Sequence, residues 1–190
     1  MGSSNPGNHL PIISRVEDAA TLTKYLPSLQ RLLQCCVNDD PTSSSIGFLA
    51  PLSDGSATKH WLDLQPSIIG PKPENMLLVA VAEDSITVIA TVVIARALKQ
   101  THAYKGEIRK LLVHPDFRRA GLGREMMQEA ERVARDELGL ELLVLDTATA
   151  TPARRFYLKT GWTEWGICPD YAMDATGVKH ECSFFVKRLC

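Results

Sequence analysis

The sequence predicts a single α/β domain of the α+β kind, a mixed and mostly antiparallel central sheet of about seven strands flanked by about four helices. Three observations predict it. Short apolar runs bounded by turn residues recur along the chain and read as strands. Two long stretches, 19–37 and 122–138, instead repeat their apolar side chains at helical spacing. Finally, the runs at 104–113 and 141–147 are joined by a helix, which marks a parallel crossover, whereas those at 76–82 and 86–98 are joined by a three-residue polar turn, which marks an antiparallel hairpin.

The elements follow in order. Pro11 to Val16 reads as the first strand. Ala19 to Val37 carries Leu22, Leu26, Leu29, Leu32 and Leu33 on one stripe, with Pro27 placed to kink or divide it. Residues 39–73 are rich in Ser, Pro and Gly; Phe48 to Leu52 and Lys59 to Leu64 read there as short helical pieces. Met76 to Ala82 and Ile86 to Leu98 form the hairpin about Glu83-Asp84-Ser85, and Tyr104 to Val113 is the next strand. Leu122 to Leu138 is a helix exposing Glu125, Glu129, Arg132 and Arg135, and Glu141 to Thr147 a buried strand. Thr151-Pro152 signals a helix start and Gly161 its stop. Trp162 to Ile167 and Ser183 to Arg188 close the chain as a strand pair through the loop around Asp174 to Gly177.

With 190 residues, 45% hydrophobic and 23% charged, there is chain enough for one core; residues 1–9 read as a tail and 10–190 as one domain. A net charge of −1 argues against nucleic acid as a principal partner, and no apolar run is long enough to span a membrane. The N-terminus has no basic-then-apolar leader, and the five cysteines lack metal-like spacing, so reduced thiols in a cytoplasmic protein and no metal site are the reading.

Function is signalled by Val113-His114-Pro115-Asp116-Phe117-Arg118-Arg119-Ala120-Gly121-Leu122-Gly123-Arg124, where a strand ends, turns at a proline and opens a helix. Glycines permit a tight turn and close backbone approach, and the first helical amides carry partial positive charge, so such a loop can hold a diphosphate. Read alone, Gly121 and Gly123 serve equally as turn residues and the arginines as a solvated face. The Walker and dinucleotide patterns are absent, since neither Gly-Lys-Ser/Thr nor a third glycine follows; Met126 stands there.

What remains, Arg118-x-x-Gly121-x-Gly123 after strand-x-Pro, resembles the acetyl-CoA signature of the GCN5-related N-acetyltransferases (GNAT). Phe156-Tyr157-Leu158-Lys159-Thr160-Gly161-Trp162 resembles that family's aromatic-Tyr-x-x-x-Gly-aromatic segment, and the element order matches over roughly residues 11–189. Leu-Val-Leu-Asp146-Thr upstream of Tyr157 is similar to the tabtoxin-resistance subgroup.

The resemblance implies a splayed parallel strand pair, 104–113 and 141–147, with the pantetheine arm of acetyl-CoA between them. Main-chain groups near Leu111, Leu112 and Val113 would bind the arm. The loop amides of Arg119, Ala120, Gly121, Leu122, Gly123 and Arg124, with the charge of Arg118, would hold the pyrophosphate. Tyr157 is the candidate general acid, its alternative role being an aromatic packed with Ala153 and Phe156. Glu107 and Asp146 are rival bases; Glu107 could instead pair with Arg109 or Lys105, and Asp146 could cap a turn. Strict alternation sets Glu107, Arg109, Leu111 and Val113 on one face and Ile108, Lys110 and Leu112 on the other, unless a bulge changes the phase.

His60, His102, His114 and His180 lack a partner pattern, and Cys168, as an acylated nucleophile, has no adjoining base. The expectation is acetyl transfer to a primary amine by direct attack in a ternary complex. The acceptor would be a small molecule, with toxin or antibiotic amines in its range. Segments 39–73 and 167–181 would form part of its site, with Trp61, Trp165 and Tyr171 serving equally as lining or as core residues. Homodimer formation through the last strands belongs to the same resemblance. A non-catalytic acyl-CoA-binding sensor is the alternative function.

Overall fold

The computed structural model describes residues 11–39 and 47–189; the expected tail, 1–9, lies outside them. The elements are β1 (Ile12–Val16), α1 (Ala19–Gln34), α2 (Asp54–Ile68), β2 (Asn75–Val81), β3 (Val88–Arg96), β4 (Lys105–Val113), α3 (Leu122–Arg132), β5 (Leu142–Ala148), α4 (Pro152–Lys159), β6 (Thr163–Met173) and β7 (Lys179–Arg188). The seven strands form one sheet in the order β1-β2-β3-β4-β5-β7-β6, in which only β4 and β5 run parallel. The predicted fold class, sheet and helix number are therefore those observed.

Two apolar layers sandwich the sheet. On one face Leu77, Val79 and Val93 pack with α1 and α2; on the other Met76, Leu78 and Ala80 pack with α3. Burial on both faces explains why β2 and β3 read as continuous apolar runs. Helix α1 is capped by Asp18, which accepts from the Thr21 amide at 2.8 Å. It runs through Pro27 undivided. A proline inside a helix costs about 3 kcal/mol, which the buried stripe of Leu22, Tyr25, Leu29, Leu32 and Leu33 offsets at roughly 2 kcal/mol per side chain.

Residues 48–52 are not helical, contrary to the periodicity reading; the helix begins only after Ser53, whose hydroxyl accepts from the Ser56 amide. Its first turn, Asp54-Gly55-Ser56, is made of poor helix formers, which hid its start. Strands β6 and β7 are longer than expected and close on a turn in which Asp174 Oδ1 accepts from the Thr176 and Val178 amides at 2.8 and 3.1 Å. Among the described residues no helix is long and apolar enough to cross a membrane.

Strand β4 departs from strict alternation. Ile108 packs with the α3 layer and Leu112, four residues on, with the α1/α2 layer, although a regular strand would point both the same way. The cause is a bulge: Leu112 pairs with Thr91 but Arg109 pairs with Val93, which leaves Lys110 and Leu111 facing one residue of β3. Lys110 adopts φ +51°, and its carbonyl accepts from the buried Thr91 hydroxyl at 2.9 Å.

Candidate active site

The parallel pair is zipped only at its base, through Lys105–Leu142, Gly106–Leu143 and Glu107–Val144. Gly106 allows that close approach: a Cβ there would lie 2.7 Å from Leu140 Cδ1 and 3.3 Å from the Ala95 carbonyl. Beyond Glu107 no further β4–β5 rungs form. A pocket of about 400 Å³ opens there, lined among others by His60, Glu107, Arg109, Lys110, Asp146 and Tyr157.

Past the end of β4, Pro115–Phe117 makes one 3-10 turn and the chain enters α3 through two left-handed residues, Arg119 (φ +66°) and Gly121 (φ +93°). Gly121 is the N-cap and brings no side chain to cap the helix, so the first amides of α3 are left for another acceptor. Gly123 lies against Val113 and Phe156, 3.6 and 3.8 Å from where its Cβ would be. Leu122 is buried in the core and offers only backbone here.

The expected binding groups do not all point outward. Arg118 folds back: its Nε donates to the Val113 carbonyl at 2.9 Å and its Nη2 approaches Cys36 Sγ at 3.5 Å. The Val113 carbonyl is thus engaged within the chain, and the Arg124 amide donates to the Gly121 carbonyl at 2.9 Å. Arg119, Ala120 and the Arg124 side chain are exposed, whereas Leu111 is half-buried and Leu112 buried at the strand end.

The side chains suited to proton transfer sit deeper. Tyr157, on α4, packs its ring against Phe156, Trp162 and Phe185 at centroid distances of 5.3, 6.1 and 5.6 Å. Its ring thus belongs to the core, while the residue also lines the pocket and its hydroxyl has no hydrogen-bond partner among the described residues. Burial, reinforced by the charge of Asp146, holds the phenol above its ordinary range, so it stays protonated.

Asp146, on β5, has no salt-bridge partner among the described residues. Burial raises its carboxyl above the usual range; a bond from Cys182 Sγ at 3.5 Å works the other way, and the charge of Glu107 adds to the rise. Burial first and Asp146 second push the Cys182 thiol up to about 12. Glu107 differs from Asp146, because Arg109 Nη2 binds its carboxylate at 2.7 Å. Lys110 is largely buried, with Nζ 4.6 Å from the Phe48 ring centre, and burial lowers its pKa.

Sequence reasoning missed His60. Its Nε2 is buried with no hydrogen-bond partner among the described residues, it lines the pocket, and burial, with Lys110 second, pushes it down to about 4, so it is neutral at pH 7. Its only sequence signal is the aromatic grouping with Phe48 and Trp61, which it meets edge-on at 5.1 and 5.0 Å. Trp61, a lining candidate from sequence, is instead core: it is fully buried and its indole donates to the Leu29 carbonyl at 3.0 Å. Trp165 and Tyr171 are exposed on the β6–β7 hairpin, and Cys168 lies opposite Cys182 outside the pocket. His180 pairs with Asp174 at 2.8 Å and does not line the pocket.

A split parallel pair, a side-chain-free helix entry at its mouth and an unpartnered phenol below it suit a long diphosphate-bearing thioester. The comparisons agree. The family model described as Acetyltransferase (GNAT) family matches residues 46–162. A candidate acetyltransferase from Acinetobacter baylyi superposes with a TM-score of 0.72 at 16% identity, covering 94% of this chain and 93% of that one. The ribosomal-protein-alanine N-acetyltransferase from Brucella melitensis gives 0.69 at 19%, covering 94% and 99%. The Salmonella typhimurium protein yncA, solved as a candidate acetyltransferase with its cofactor acetyl-CoA, gives 0.69 at 16%, covering 95% and 94%. At these identities the superpositions speak for the fold, and the family model speaks for the kind of enzyme. The chain belongs to the acetyltransferase (GNAT) family and is an acetyltransferase whose cosubstrate is acetyl-CoA.

Proposed function

We propose that the protein moves the acetyl group of acetyl-CoA onto the primary amine of a small molecule, toxin and antibiotic amines being within that class, by direct attack in a ternary complex. One observation carries this reading. A carboxylate with no salt bridge among the described residues, Asp146, and a phenol held protonated, Tyr157, line the same pocket at the mouth of the split strands. Amines are ammonium ions at neutral pH and must lose a proton before they attack. Asp146 takes that proton, and its raised carboxyl is better matched to the task than the Arg109-bound Glu107. As the C–N bond forms and the C–S bond breaks, the nitrogen sheds its remaining extra proton to solvent to give the neutral amide, while Tyr157 gives its proton to the departing sulfur and regains one from that solvent. The amides of Arg119 to Gly123 hold the diphosphate at the start of α3, and the free edge of β4 beyond Glu107 receives the pantetheine arm as an added strand.

The test is a pair of measurements. Melting of the protein with increasing CoA is expected to show a concentration-dependent rise. Release of free CoA thiol from acetyl-CoA is then followed over a panel of small amines, with matched alcohols and a peptide N-terminus beside them. Amine-dependent release supports the reading; release with the peptide or the alcohols alone replaces it.

A further inference from the structure

Among the described residues, the α1/α2 layer covers one half of the sheet on its side and not the other. The apolar layer under these helices draws on Val16, Leu77, Val79, Val88, Val93 and Leu112 of β1–β4, and on nothing from β5–β7. On the uncovered half, Asp146 and Phe184 are direct cross-strand partners, so their side chains leave the sheet side by side. Phe184 in turn holds two further rings. Trp165 leans on it at 5.6 Å with a 48° tilt, and Tyr171 meets it edge-on at 5.1 Å. Trp165 is the extra residue of a bulge, because Glu164 pairs with Phe185 and Gly166 with Phe184. A bulge beside a site re-aims a side chain.

These rings are arranged for a ligand. In a core, such a trio would be covered; here Trp165 is 64% and Tyr171 47% exposed, and they sit next to the proposed base. Aromatic faces attract flat apolar groups and cations alike. Charge narrows the choice. Asp146 is the carboxylate open to an ammonium, while Glu107 is tied to Arg109 and Lys110 lies in the same pocket. A flat aryl body gains ring contacts that a saturated chain does not, so an aryl amine fits better than an alkyl amine or an alkyl diamine. A single ammonium on an uncharged flat body fits both halves of the surface.

Building on the amine-acetylation reading above, we infer that the acceptor is a primary amine on a flat aromatic body, its ammonium at Asp146 and its ring on Trp165 and Tyr171. These two residues set acceptor specificity; neither takes part in the proton transfers.

The experiment compares 2-phenylethylamine, hexylamine and 1,4-diaminobutane in the thiol-release assay, with wild type and Trp165→Ala. The expected result is a kcat/KM for 2-phenylethylamine at least tenfold above that for the other two. Trp165→Ala should raise its KM about tenfold more than that for hexylamine, with kcat little moved. Equal use of aryl and alkyl amines, or preference for the diamine, removes the aromatic body and leaves amine acetylation standing. If no amine is turned over, calorimetric titration of 2-phenylethylamine into the CoA-loaded protein decides. Saturable binding weakened by Trp165→Ala upholds the subsite even though the amine-transfer reading fails; no binding overturns it. A dimer in sedimentation that Trp165→Ala disperses, with no aryl preference, assigns the rings to a second copy and overturns the proposal.

Discussion

The two ends of the cleft are built by different means. The proposed donor end is one consecutive run, residues 111–124, and would work through backbone: a strand edge, a turn and the uncapped amides of α3. The proposed acceptor end gathers side chains from α2, β4, β5 and α4, among them His60, Glu107, Asp146 and Tyr157. A backbone site tolerates most side-chain changes and fails where a side chain fills the ligand's space. A side-chain site is the reverse: it survives conservative packing changes and fails when one functional atom is removed.

The strongest way to break that contrast is Gly121→Glu. At φ +93° any side chain is strained, by about 1–2 kcal/mol, and the added carboxylate would sit near Glu125 and in the space for a diphosphate. CoA affinity should fall at least 100-fold, on the order of 3 kcal/mol, read as loss of the CoA-dependent rise in melting temperature, with a modest fall in the unliganded melting temperature. A micromolar CoA response in this variant would show that the donor end does not work through these amides.

At the acceptor end the matching change removes one oxygen. Tyr157→Phe keeps the ring that packs with Trp162 and Phe185, so melting and the CoA-dependent shift should stay within about a degree of wild type. The kcat should drop about 100-fold, a typical loss for a positioned acid. A wild-type kcat would make Tyr157 a core aromatic only.

This difference in construction also explains what could be read in the sequence. The donor end was legible because its parts are adjacent and of restricted type: Pro115, Gly121 and Gly123 at fixed offsets after an apolar run. The order of strands was legible for a similar reason, since burial on both faces leaves continuous apolar runs. Tyr157 was found by its motif and Asp146 by its place at the end of an apolar strand. His60 carried no such mark; it enters the pocket because α2 packs on α1, a tertiary fact. Arg118, which the motif reads as a phosphate ligand, carries a contact that the motif did not announce: it braces the Val113 carbonyl. The phase of β4 was hidden because a bulge is fixed by a cross-strand partner, Thr91, 19 residues before Lys110 in sequence.

Asp146→Asn sharpens the contrast further, because activity and stability should move in opposite directions. The folded protein holds this carboxyl above its ordinary value near 4. Its contribution to stability is therefore greatest in acid and is lost as pH rises through the raised folded value, leaving a destabilising anion at neutral pH. The amide keeps the acceptor for Cys182 and removes the buried charge. Its melting temperature at pH 7 should exceed wild type by a few degrees, and the two should converge below about pH 4. The kcat should fall about tenfold or more, with loss of the acid limb of its pH profile. A variant less stable at pH 7 would mean that the anion is held by favourable contacts and not penalised by burial.

The smallest effect, and the most searching, is expected at a residue that touches no substrate. Thr91 is fully buried and its hydroxyl donates to the Lys110 carbonyl at the bulge. Valine keeps the shape and removes the bond, which costs roughly 1 kcal/mol and leaves the carbonyl unsatisfied. The bulge is what separates the phase of Glu107 and Arg109 from that of Leu112; without its anchor β4 has less reason to keep Lys110 at φ +51°. Thr91→Val should lower the melting temperature by a few degrees and reduce kcat three- to fivefold. The KM for acetyl-CoA should shift as well, because the same bulge shapes the free edge that receives the pantetheine arm. A stability loss without either kinetic change would mean that the bulge is set by the packing of Ile108 and Leu112 into opposite layers, with Thr91 recording the distortion and not maintaining it.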